Sequence, residues 1–240
     1  MSYSIPTGYR FPALEAVRPV MLQNKSSPEY PGVLGSCTMM EFSEKYFIAC
    51  TRHQLEISQG SEIELNRKSS PLFMTRYVGS QLINIPVVAC YFATDLGEEE
   101  YHDILLFSVE REKANELGES QYFFPLSALS NSTKGQSLLV GCPSSKQTVN
   151  YEPLDITFTT QAVVCRLDQE YHTSSKYLKR YIYDPQKATE LDGFSGGAVF
   201  STGLTEGENG TALDGIVTRA GNGFVHVVDA NFLIGLAAKL

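Results

Sequence analysis

The chain is cut into short apolar runs separated by turn residues, and this texture limits its fold more than any other feature. VRPVMLQ (17–23), VLGSCTMMEF (33–42), KYFIACT (45–51), QLINIPVVACYF (81–92), HDILLFSV (102–109), QSLLVGC (136–142), DITFTTQAVVCRL (155–167), GGAVFS (196–201), LDGIVTRA (213–220) and GFVHVVD (223–229) are rich in Val, Ile, Phe, Tyr and Thr. Gly, Pro, Asn, Asp and Ser lie between them. Such runs read as strands, and many short strands with few helices predict antiparallel β-barrels or a sandwich. Asn209-Gly210 and Asn222-Gly223 are hairpin-turn signals. Two stretches differ. ANFLIGLAAKL follows Asp229, a helix-capping residue, and predicts a short C-terminal helix packed on the second half. The polar EREKANELG (110–118) ends in Gly118 and reads as a helical connector. It divides the chain into an N-terminal half, 1–115, and a C-terminal half, 116–240.

With 240 residues, 42% of them hydrophobic, the chain can bury one large core or two tightly joined ones. Its net charge of −8 argues against nucleic acid and anionic membranes as partners. No run approaches the roughly 18 apolar residues of a membrane span. The N-terminus lacks a charged start followed by an apolar run, so no secretory signal is expected. The five cysteines, Cys37, Cys50, Cys90, Cys142 and Cys165, are odd in number and match no zinc spacing. They read as reduced, mostly buried thiols of a cytoplasmic protein, with no metal and no cofactor expected. The sequons at Asn24, Asn131 and Asn209 are then idle.

LDGFSGGAVF (191–200) sets a lone serine among three glycines. It is either a glycine-rich turn or a nucleophile that needs bare backbone around it. Acyl transfer from a serine needs two amides aimed at one oxyanion, and Gly193 and Ser195 can supply them. A serine is a weak nucleophile without a base, and the base needs an orienting carboxylate. Four histidines are available. His53 follows the strand FIACT, His102 adjoins Asp103, His172 lies in a polar loop and His226 lies in the last strand run. Asp103 opens the apolar run ILLF, and Asp95 is its rival eight residues earlier. His102 points away from Asp103 if strand neighbours alternate faces.

Three patterns thus occur in one order: FIACTRH, then HDILLF, then GFSGG. In that order they resemble the trypsin-like, chymotrypsin-fold serine peptidases, and their bacterial stress-protease-like branch more than the digestive enzymes. GQSLLVGCPS, DGIVTRAGNG and GFVHVVDANFLI resemble further strands of that family, so the likeness covers most of residues 33–240. It implies two antiparallel six-stranded β-barrels with the active site in the cleft between them. It implies a serine endopeptidase with Ser195 as nucleophile, His53 as general base and Asp103 orienting the histidine. Gly193 and Ser195 would form the oxyanion hole, and Thr218 would be the small hydroxyl residue beside the aspartate. The substrate would be a protein or peptide. An intracellular protease of this kind needs restraint, and a regulatory partner protein or domain is one source of it.

The chain departs from the pattern in two places. Arg52 precedes the histidine where small residues are usual. Phe194 precedes the serine where many relatives carry Asp or Asn, so no activation step that pairs this position with a new N-terminus is expected. For specificity, the resemblance points to Thr189 and Glu190 and to Thr218, Arg219, Ala220 and Gly221, with His226 as a pocket-wall residue. Glu190 on the pocket floor would favour basic side chains. Thr189 there would make the pocket small and neutral, and Arg219 on the rim would draw an acidic residue. A catalytically silent relative, keeping the fold as a binding or scaffold module, is the competing reading. Silent relatives usually lose a triad member, and this chain keeps all three.

Overall fold

A computed structural model describes residues 12–24, 27–55, 69–78, 81–93, 99–126, 136–151, 154–186, 190–205 and 208–240. The first half contains β1 (Val17–Asn24), β2 (Ser27–Phe42), β3 (Lys45–Thr51), β4 (Ser69–Val78), β5 (Gln81–Asn84), β6 (Val87–Phe92), β7 (Ile104–Val109) and β8 (Phe124–Pro125). They form one sheet in the order β5-β4-β1-β2-β3-β7-β6, with the two-residue β8 running parallel to β2. Its pairing is antiparallel throughout except at β8. At its centre β3 is buried at every position after Lys45, which is why KYFIACT is continuously apolar rather than alternating.

The second half contains β9 (Ser137–Gly141), β10 (Thr148–Tyr151), β11 (Leu154–Thr157), β12 (Gln161–Leu167), β13 (Leu178–Tyr183), β14 (Ala198–Thr205), β15 (Glu208–Gly221) and β16 (Phe224–Asp229). Six of them close a barrel in the order β12-β13-β16-β15-β14-β9, and β10 and β11 form a separate hairpin. β12 alternates, with Val163 and Cys165 buried and Ala162, Val164 and Arg166 exposed, as one barrel wall facing water requires. Asn222 and Gly223 both have positive φ (52° and 83°), the backbone that closes a tight hairpin between β15 and β16. Asn209-Gly210 does not form the other expected turn. Both residues lie within β15, paired with Leu204 and Gly203, so the chain reverses between Thr205 and Glu208.

The two halves share a core. Met40, Phe47, Ile104, Leu106 and Phe124 from the first pack with Val140, Phe200, Ile216 and Val228 from the second. The polar connector is helical over Arg111–Glu116. The stretch after it folds back on the first sheet, where Phe123 stacks on Tyr46 (4.3 Å) and β8 joins β2. Residue 115, where the sequence expectation divides the chain, lies in the Arg111–Glu116 helix.

The C-terminal helix, Ala230–Ala237, starts at Asp229, whose Oδ1 accepts from Asn231 N (2.7 Å). It packs on more than the second half. Phe232 stacks on Tyr101 (4.8 Å), and Tyr177 N donates to Tyr101 Oη (3.2 Å). Tyr101 belongs to the helical turn Glu99–His102 that leads into Asp103. No helix among the described residues is long and apolar enough to cross a membrane.

Candidate active site

His53 and Asp103 come from adjacent strands of the first sheet. β3 and β7 pair antiparallel, with Thr51 opposite Ile104. This register brings the end of β3 beside the start of β7. The chain then turns into the short helix Arg52–Leu55, which lifts His53 off the sheet. Arg52, bulky for its place, lies over the Phe92 ring (5.9 Å) and donates its N–H to Asp103 O. Asp103 holds His53 at two points. Its Oδ1 accepts from His53 N (3.0 Å), and the carboxylate lies 2.8–2.9 Å from His53 Nδ1. A carboxylate can only accept, so Nδ1 carries the proton, and in the neutral imidazole Nε2 then presents a lone pair. Half of the imidazole stays exposed, against 20% of the aspartate side chain.

Ser195 sits in a different setting, on a loop inserted between the two halves. Phe194 is fully buried in the core of the closed barrel with Leu139, Val199, Val217 and Val227. Burial of this ring anchors the turn in the barrel core. Gly193 (φ +90°) and Gly196 (φ +78°) both take left-handed backbone that favours glycine. A Cβ on Gly193 would lie 2.5 Å from Cys142 O, and one on Gly196 would overlap Ser36 O. These contacts explain why the serine is flanked by glycine.

Three carbonyls of this loop are held from the first half. Ser36 Oγ donates to Gly193 O (2.6 Å) and accepts from Cys142 N (2.8 Å). Ser36 N and Gln54 Nε2 both donate to Ser195 O (3.1 and 2.7 Å), and Thr38 Oγ1 donates to Gly196 O (2.9 Å). On the other side, Asp192 O accepts from Ser144 N (2.9 Å), and Phe194 O accepts from Gly197 N (2.8 Å). In a trans peptide the carbonyl and the following N–H point in opposite directions. The Gly193 and Ser195 N–H groups are therefore turned away from these donors, and both residues line the cleft. Neither amide has a hydrogen-bond partner among the described residues. Two such amides can hold an oxyanion.

The cleft encloses about 430 Å³ and is lined by His53, Asp103, Leu191, Asp192, Gly193, Ser195, Thr218, Arg219 and Ala220. The three candidate triad residues thus face one space. A β-bulge shapes the wall opposite the serine. Val217 pairs with Val227 and Arg219 with His226, which leaves Thr218 as the extra residue. Its carbonyl, freed from the ladder, accepts from Ser195 Oγ (3.2 Å). Its hydroxyl donates to His226 O (3.3 Å), across the strand pair.

Glu190, Gly221 and His226 are not among the cleft-lining residues. Glu190 is exposed and accepts from Ser145 Oγ (2.5 Å). His226 stacks edge-on against Tyr171 (5.8 Å). Its pKa is lowered, first by burial and then by Arg219 and Arg180. Thr189 and the rival Asp95 lie outside the described residues. Leu191 and Asp192 line the cleft although the sequence did not mark them. Ser36, Gln54 and Ser144 were missed too, since nothing local sets them apart.

All five cysteines are free, and four are buried. Burial pushes the Cys142 thiol up to about 11 and Cys165 to about 12, and raises Cys37 and Cys50 as well. Such thiols are inert at neutral pH.

No family model matches this chain, and no curated protein matches it by sequence. Among solved structures it is similar to a thermostable serine protease from an extremophilic microorganism. The identity is 12%, the TM-score is 0.54, and the match covers 95% of this chain and 98% of that one. At that identity the likeness establishes the fold, which is that of the trypsin- and chymotrypsin-like serine proteases.

Proposed function

We propose that this chain is a serine endopeptidase that hydrolyses protein or peptide substrates through Ser195, His53 and Asp103. One observation carries the reading: a doubly anchored His53–Asp103 pair and Ser195, beside two unpartnered amides, line one cleft. Ser195 Oγ leaves the Thr218 carbonyl and attacks the scissile carbonyl carbon, and its proton passes to His53 Nε2. Asp103 stabilises the resulting imidazolium, and the oxyanion lies against the N–H groups of Gly193 and Ser195. His53 then gives the proton to the leaving amine. Water repeats the sequence on the acyl-enzyme and restores the serine.

Five free thiols suit a reducing compartment, which supports action in the cytoplasm. The 192–193 peptide is held by Ser144 and the turn by Phe194, which supports a nucleophile loop set by packing. Restraint of the enzyme by a partner protein or domain is part of the same proposal.

The test is labelling with a fluorophosphonate probe, beside Ser195→Ala and His53→Ala. Labelling of wild type alone, with each substitution lowering it at least about 10³-fold, is the expected result. A wild type that does not react would replace the enzyme with the binding-module reading.

A further inference from the structure

Gln54 follows the candidate base directly, and its amide is spent on both sides of the cleft. Oε1 accepts from Thr51 N (2.9 Å), at the end of the strand that delivers His53. Nε2 donates to Ser195 O (2.7 Å) and to Ser36 O (3.2 Å). One side chain thus joins the turn carrying His53 to the carbonyl of the serine itself. Room for it comes from two distant segments: a Cβ on Gly35 or on Gly196 would run into the Gln54 amide. Gln54 is only partly buried, so filling space is a small part of what it does.

We infer that Gln54 is a positioning residue that sets the distance between base and nucleophile, and this rests on the hydrolase reading above. The Ser195 carbonyl has two donors, Ser36 N and Gln54 Nε2, and the second arrives on the same short helix as His53. Movement of that helix relative to the nucleophile loop must first break the Gln54 bond. The side chain must donate on one end and accept on the other, which an amide does and an equally long apolar or acidic chain does not.

The experiment compares fluorophosphonate labelling of wild type, Gln54→Met and Gln54→Glu, separating the maximal labelling rate from probe affinity, with Tm measured on each. Gln54→Met keeps length and loses every hydrogen bond. Its maximal rate is expected to fall about ten- to hundredfold with probe affinity nearly unchanged, as for a small misplacement of reacting groups. In Gln54→Glu the carboxylate faces two carbonyl oxygens and repels both. Protonation restores one donor, so the ratio of its rate to that of wild type is expected to rise as the pH is lowered from about 8 to about 6. A negative charge that acted only by raising the pKa of His53 would make that ratio fall. Gln54→Met labelling at the wild-type rate, or a lowered Tm with an unchanged rate, overturns the inference and leaves the hydrolase reading standing. A wild type that does not label overturns both.

Discussion

The two sides of the cleft are held in opposite ways. Ser195 is placed by what is buried around it: Phe194 in the barrel core, and glycines against Ser36 and Cys142. His53 is half exposed, and its ring is placed chiefly by one carboxylate. The nucleophile side therefore belongs to the folding energetics of the closed barrel. The base side belongs to the electrostatics of a single pair at the ends of two interior strands of the first sheet. Stability and activity should respond to different substitutions on the two sides.

The sharpest test of this contrast is Asp103→Asn. It removes the acceptor that fixes the imidazole proton on Nδ1, and the expected loss of turnover or labelling is about 10³–10⁴-fold. Because the pair is solvent-accessible, the unfolding midpoint should hardly move, and urea denaturation measures it. A large drop in stability would break the comparison. The next effect belongs to the other side. Phe194→Ala empties a fully buried site and should cost about 3–5 kcal/mol in the same titration, with labelling lost in parallel. A variant that labels poorly yet keeps its stability would mean that Phe194 acts on the turn without anchoring it. The smallest effect is expected at Glu190, exposed and hydrogen-bonded to Ser145. Glu190→Gln should shift stability by under about 0.5 kcal/mol and leave cleavage preference in a peptide library unchanged. A swing away from basic side chains would return Glu190 to the pocket.

How much of this was legible follows from how local each signal is. β3, β7, β9 and β16 stood out as apolar runs because each is largely buried. LKRYIY in β13 did not, since Lys179 and Arg180 interrupt it, and their roles are long-range. Lys179 pairs with Asp229 and Arg180 with Asp168. QLINIPVVACYF read as one strand, but it breaks at Ile85-Pro86 into β5 and β6, as a proline within a ladder requires. Ser195, His53 and Asp103 were visible because their motifs stand in one order along the chain. Ser36 and Gln54 were not. Ser36 meets Gly193 across 157 positions, and Gln54 meets Ser195 across 141. A serine in a strand and a glutamine after a histidine carry no local mark of such work.

The burial of Phe194 bears on how the turn can open. A segment whose anchor lies in the barrel core cannot melt alone; its opening free energy approaches that of unfolding the whole barrel. Gly196 and Gly197 donate their N–H groups to Val217 and Phe194 inside that unit, so their amide hydrogens should exchange only when the barrel does. The turn should therefore open no more often than the barrel itself, and hydrogen exchange measures it.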